Sequence, residues 1–249
     1  VASGTIQNGG TELPAVLHWN EPDSPLPVRA VRLPPGVRPR TIGLETPPWW
    51  PTGPLDQPFD FCGHIRRLCA DISRRCKSLA HIDARRILIA FTQARRGQRH
   101  GLQARVTPLR CSRGQLRRLH KGVTYQVQRY FVNGLEMLYL LTFCLPRFLD
   151  QTFDEKCITL FHELYHISPE FEGDLRRLDG RCTLHSHSQR DYDAHMAVLA
   201  REYLASGADP SLYGFLRLDF AQLQHRHGSV VGVVVPRPRL LPIVNAARS

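Results

Sequence analysis

From about Phe59 to Ala80 the apolar residues Phe61, Ile65, Leu68, Ile72 and Leu79 fall on one side of a helical repeat, interleaved with Cys62, Cys69 and Cys76. Arg66, Arg67, Asp71, Arg74 and Arg75 hold the other side. This spacing predicts an amphipathic helix, with the three cysteines packed as small hydrophobes. Three strand-like stretches follow. Arg86–Phe91 is apolar and β-branched, Gly101–Leu109 alternates, and Val123–Phe131 comes after a loop holding Gly114 and Gly122. Asn133-Gly134 marks a tight hairpin, and Leu138–Leu145 reads as a buried strand closed by Pro146.

Thr152 followed by Glu155 has the form of a capping box, so a second helix is predicted from near Phe153 to just before Pro169. Its apolar stripe is Cys157, Leu160, Phe161, Leu164 and Ile167, which leaves His162 and His166 one turn apart on an adjoining face. A further helix carries Tyr192, Met196, Leu199 and Tyr203. Pro210–Leu223 predicts one more amphipathic helix and Val230–Val235 a last strand, with His225 and His227 in a polar, solvent-exposed turn between them. Residues 1–58 are broken up by Pro22, Pro25, Pro27, Pro34, Pro35, Pro47, Pro48 and Pro51 and read as a largely irregular arm or linker. Helix, antiparallel-looking sheet and helix together define an α+β class.

The 249 residues suffice for one core without disulfide support. No apolar run approaches the roughly 20 residues of a membrane helix, so no membrane association is expected. The chain starts with Val and shows no basic segment followed by an apolar one, so its start looks truncated. Seven cysteines, an odd number without short paired spacings, favour a reducing compartment and a cytoplasmic location. The net charge of +11 is concentrated between Arg85 and Lys121, where no Asp or Glu occurs. Such a run suits phosphate contacts, with Arg95, Arg96, Arg99, Arg117 and Arg118 as candidates for nucleic-acid binding. Phe91 is its only Phe, Tyr or Trp, so the linear segment lacks the aromatic interleaving of a single-strand platform, and a solvated basic face is the plainer reading.

His162-Glu163-Leu164-Tyr165-His166 is an H-E-x-x-H string. Residues four apart on a helix can direct both imidazoles at one zinc ion, while Glu163 takes a proton from the water that the metal acidifies. A chain with 12 histidines can contain the string by chance. Its position on a capped amphipathic helix directly after a buried strand favours the metal site.

The segment from Phe59 to Leu204 resembles the phage-type metallopeptidase domains, which are zincin-like. The resemblance rests on the order helix, strands, H-E-x-x-H helix, and on the stretch from Phe161 to Arg176 that ends Phe-Glu-Gly-Asp-Leu-Arg. It implies a zincin-like fold, here a small, mostly antiparallel sheet with flanking helices, zinc ligands at His162 and His166, and a catalytic Glu163; a peptide or protein substrate is expected by analogy alone. On that basis residues 59–206 form the metallopeptidase domain, followed by a helix-plus-strand extension over 207–249. The family runs from its Gly-x-Leu-Arg stretch into a third histidine ligand, where this chain has Leu178. Among Cys182, His185, His187, Asp191, Asp193 and His195, one of His185 and His187 is expected to replace it, with His195 and Asp191 as supporting residues. The function expected is zinc-dependent peptide-bond hydrolysis. The alternative is a catalytically degenerate basic module that contacts nucleic acid or a protein partner.

Overall fold

The computed structural model describes residues 16–18, 27–37, 51–94, 101–177 and 189–243. The arm contributes two short strands, β1 (Val16–His18) and β2 (Val28–Ala30). β3 (Phe59–Asp60) runs straight into α1 (Phe61–Arg75), because the Asp60 side chain accepts the Gly63 N–H at 3.0 Å and caps the helix. The helix stops earlier than its apolar stripe predicts. A short 3-10 turn over Lys77–Leu79 continues the stripe and keeps Leu79 buried.

Then come β4 (Ile87–Gln93), β5 (Ala104–Pro108), β6 (Arg117–His120), β7 (Val123–Val127), β8 (Arg129–Val132), β9 (Leu135–Met137) and β10 (Tyr139–Leu145). The Asn133-Gly134 pair has φ of 51° and 75° and joins β8 to β9 as a two-residue hairpin turn. α2 (Phe153–Tyr165) opens with the full capping box between Thr152 and Glu155. α3 (Gln189–Ala205), α4 (Pro210–Tyr213), α5 (Phe220–His227), β11 (Val230–Val233) and β12 (Leu240–Pro242) complete the order.

Five helices accompany four three-stranded sheets among the described residues, and antiparallel pairs outnumber parallel ones, so the fold is α+β with small, mostly antiparallel sheets. In the sheet that matters for the site, β10 is central, parallel to β4 and antiparallel to β5. Ile87, Ile89 and Phe91 of β4, Ala104 and Val106 of β5, and Tyr139, Leu141 and Phe143 of β10 join the main core, which also holds the apolar faces of α1 and α2. Residues of opposite parity, Leu88, Ala90 and Leu140, meet Tyr130 and Met137 in a second cluster. A sheet buried on both faces explains why β4 and β10 read as continuous apolar runs.

The stretch beyond residue 207 packs into the same core through Phe215, Leu216, Phe220, Leu223 and Val230. The single helix predicted over Pro210–Leu223 is broken: a 3-10 turn spans Gly214–Arg217, and Asp219 restarts the chain as α5 with its own capping box to Gln222. β11 pairs with both β2 and β3, tying arm, α1 and C-terminal region together. His225 is exposed as expected, but His227 is buried. Its Nδ1 reaches the carbonyls of Pro54 and Gln57 at 3.1 and 3.2 Å, and its Nε2 stands 2.7 Å from Thr52 Oγ1. The expected polar turn is instead the last turn of α5, and it anchors the 51–57 segment.

Candidate active site

The site is assembled at the C-terminal end of α2. His162 and Glu163 lie in the last helical turn, and His166 is the C-cap, still in helical conformation and donating its N–H to the His162 carbonyl. The two imidazoles are half-buried and edge-to-face, with ring centroids 4.6 Å apart. Glu163 points to the sheet, where its Oε2 accepts the backbone N–H of Val106 on β5 at 2.7 Å. Burial pushes the Glu163 carboxyl up to about 7, against the lowering effect of the Val106 N–H and of the Arg105 charge.

The chain leaves α2 through a tight structure that fixes the helix end. The N–H of Arg176 donates to the His166 carbonyl and its Nε to the Tyr165 carbonyl, both at 2.7 Å, while its guanidinium covers the Tyr165 ring at 4.0 Å. One arginine therefore satisfies two C-terminal carbonyls of the site helix. Gly173 has φ of 89°, and a Cβ there would meet Arg110 Cγ at 2.5 Å, so no other residue fits the turn. The Tyr139 hydroxyl accepts the Gly173 N–H at 3.0 Å and donates to the Asp174 carbonyl at 2.9 Å, linking this turn to the central strand. The Phe-Glu-Gly-Asp-Leu-Arg stretch is accordingly a brace for the histidine helix.

The first turns of α3 pack on the same end of α2. Tyr192 sits 4.7 Å from the His162 ring and 6.0 Å from that of His166, centroid to centroid. Asp193 brings Oδ1 to 3.5 Å from His162 Nδ1. His195 is exposed, with its ring 5.5 Å from Tyr165, and Asp191 is exposed in the first turn. Asp193 stands in the sequence only as one of six candidate donors, because its approach to His162 depends on how α3 is rotated against α2. Leu178, Cys182, His185 and His187 lie outside the described residues, as do Arg95, Arg96 and Arg99. Arg117 and Arg118 are exposed on β6, whereas Arg110 is paired with Glu136 at 2.7 Å.

No set of three or more His, Cys, Asp or Glu residues arranged to hold a metal ion occurs among the described residues. The donor chemistry nevertheless fits one: two neighbouring imidazoles, a carboxylate beside one of them, and a half-buried carboxyl turned to the sheet. No helix among the described residues is long and apolar enough to cross a membrane.

This combination, an α+β fold with paired histidines and a shielded glutamate on one braced helix, is that of a candidate metallohydrolase. The family described as putative phage metallopeptidase matches residues 62–209, more than half of the chain, and the chain belongs to it. Neither the curated proteins nor the solved structures gave a match.

Proposed function

We propose that the protein is a zinc-dependent peptidase in which His162 and His166 hold the metal and Glu163 is the general base. The observation that carries this reading is the placement of Glu163: one residue from a histidine pair, half-buried, and in contact with the outer strand of the central sheet. When bound, zinc supplies Lewis acidity at the scissile carbonyl and makes water acidic enough to lose a proton near neutral pH. A carboxyl lifted to about 7 is matched to taking that proton at Oε1 or Oε2 and returning it to the leaving nitrogen. The family favours a peptide or protein as the substrate. The third donor in this reading is His185 or His187, and Asp193 joins Asp191 and His195 as candidates for orienting the ligands. Family membership favours this enzyme over the degenerate module.

The test is elemental analysis of purified protein together with peptide-library cleavage. About one zinc per chain is expected, lost in His162→Ala and His166→Ala, with Glu163→Gln keeping the metal and losing turnover. Zinc-free protein after metal-replete expression, or full turnover by Glu163→Gln, would overturn it.

A further inference from the structure

The basic run from Arg85 to Lys121 contains a single Phe, Phe91, and that ring is buried in the core. Folding supplies an aromatic from beyond the run. β6 and β7 form an antiparallel hairpin closed by Lys121-Gly122, with φ of 49° and 77°. Its register sets Arg118 opposite Tyr125 and His120 opposite Val123, while β12 on the far side sets Pro242 opposite Tyr125. Directly opposed residues share a face of a sheet. Arg118, His120, Val123, Tyr125 and Pro242 therefore lie on one face, all exposed except Tyr125, which is half-buried. The His120 and Tyr125 rings are 6.5 Å apart, centroid to centroid.

No Asp or Glu occurs between Ala84 and Leu135; Glu136 is engaged with Arg110 and Arg129, and Asp174, whose charge reaches Cys111 as that of Arg118 does, is paired with Arg177. The side chains of Arg118 and Lys121 have no ion pair or hydrogen bond among the described residues. A cationic ribbon without carboxylates repels itself and lowers its energy by gathering phosphates. An accessible aromatic ring beside the cations favours nucleic acid over an acidic peptide, because a base offers a face to stack on. It also favours unpaired bases, since those of a duplex are already stacked.

We infer that this face of the β6–β7–β12 sheet binds single-stranded nucleic acid, with Arg118 and Lys121 on phosphates and Tyr125, flanked by His120, stacking on a base. The surface is separate from the peptidase reading and stands or falls without it.

Fluorescence anisotropy of a short labelled oligothymidylate with the full chain tests the inference. Binding is expected to weaken with salt at a log–log slope of about −0.7 per phosphate contacted. Arg118→Ala combined with Lys121→Ala should flatten that slope by about 1.4. Tyr125→Ala should weaken binding about tenfold, and Tyr125→Phe, which keeps the ring and guards against misfolding, should bind as wild type. Three results would each overturn the inference. One is no binding at low salt; another is binding untouched by these changes, which places it elsewhere. The third is equal competition by an oligoglutamate of matched charge, which makes the face a general anion surface.

Discussion

The Glu163 carboxylate is held 2.7 Å from the Val106 N–H, across the edge of the central sheet. The pairs Cys144 with Gln103 and Leu138 with Leu109 are hydrogen-bonded, so alternation along β5 turns the Val106 N–H away from β10. Where an additional strand would accept that bond, the histidine helix offers a carboxylate. One neutral donor does not offset the desolvation of a charge, which is why the carboxyl is lifted to about 7.

Metal-free protein should therefore lose stability as Glu163 ionises. The folded state holds this proton up to about pH 7, the unfolded state only to about 4.5. Between those values the folded form binds more protons, so unfolding free energy falls as pH rises through the window and levels off above it. Glu163→Gln removes the penalty while keeping an acceptor for Val106. In chelator-treated samples the variant should match wild type near the bottom of the window and exceed it above pH 7 by up to about 3 kcal/mol. Parallel urea profiles for the two proteins would count against a desolvated, uncharged Glu163.

Lys156, two turns earlier on α2, is buried with Nζ donating to the carbonyls of Leu216 and Leu218 at 3.0 and 2.7 Å. It ties the site helix to the turn that replaces the middle of the predicted C-terminal helix. Burial lowers its pKa from 10.5 to about 8. Above pH 8 the unfolded chain binds more protons at this position, so its contribution makes stability rise with pH until about 10.5. Relative to Lys156→Met, wild type should gain up to about 3 kcal/mol across that window and nothing below it. Denaturant melts at several pH values decide the matter, and a constant difference would show that the amine is not desolvated.

Much of this was legible locally. The capping box at Thr152–Glu155, the Asn133-Gly134 turn and the stripe of α1 each act over a few residues, so their signals survive without knowledge of the fold. The histidine pair was legible for the same reason. What was hidden is relative placement. Lys156 occupies a helix position that reads as polar surface until the 3-10 turn covers it, and the strand direction of β4 against β10 depends on a crossover. Asp193 meets His162 only because of the rotation of α3 on α2.

His227 illustrates a non-local partner, since the residue it holds, Thr52, is 175 positions away. Its ring also packs 5.4 Å from Phe59, centroid to centroid. His227→Ala should lose the contacts to Thr52, Pro54 and Gln57 and this packing, a destabilisation of about 2–4 kcal/mol. Thr52→Val, which keeps the shape and removes one partner, should cost about 1 kcal/mol. Thermal unfolding gives the order of the two variants. Protease cleavage within 51–57 should rise in His227→Ala, and unchanged resistance would show that the segment is held by other contacts.

The arrangement of Asp193 and His162 bears on metal affinity. With Nδ1 of His162 facing a carboxylate at 3.5 Å, Nε2 is left for a metal, and the carboxylate fixes the ring and makes the imidazole a better donor. Asp193→Asn should lower zinc affinity by about 10- to 100-fold without changing the stoichiometry, as read by competition with a chromophoric chelator. If Asp193 were instead a direct ligand replacing the histidine absent at Leu178, the loss would be far larger, and changing His185 and His187 together to Ala would leave affinity untouched. If one of those histidines is the ligand, the double change abolishes tight binding and Asp193→Asn only weakens it. Leu178→His added to the double change then discriminates further. Recovery of zinc binding would place residue 178 beside His162 and His166, and would make the missing donor, rather than a disrupted fold, the reason for the loss.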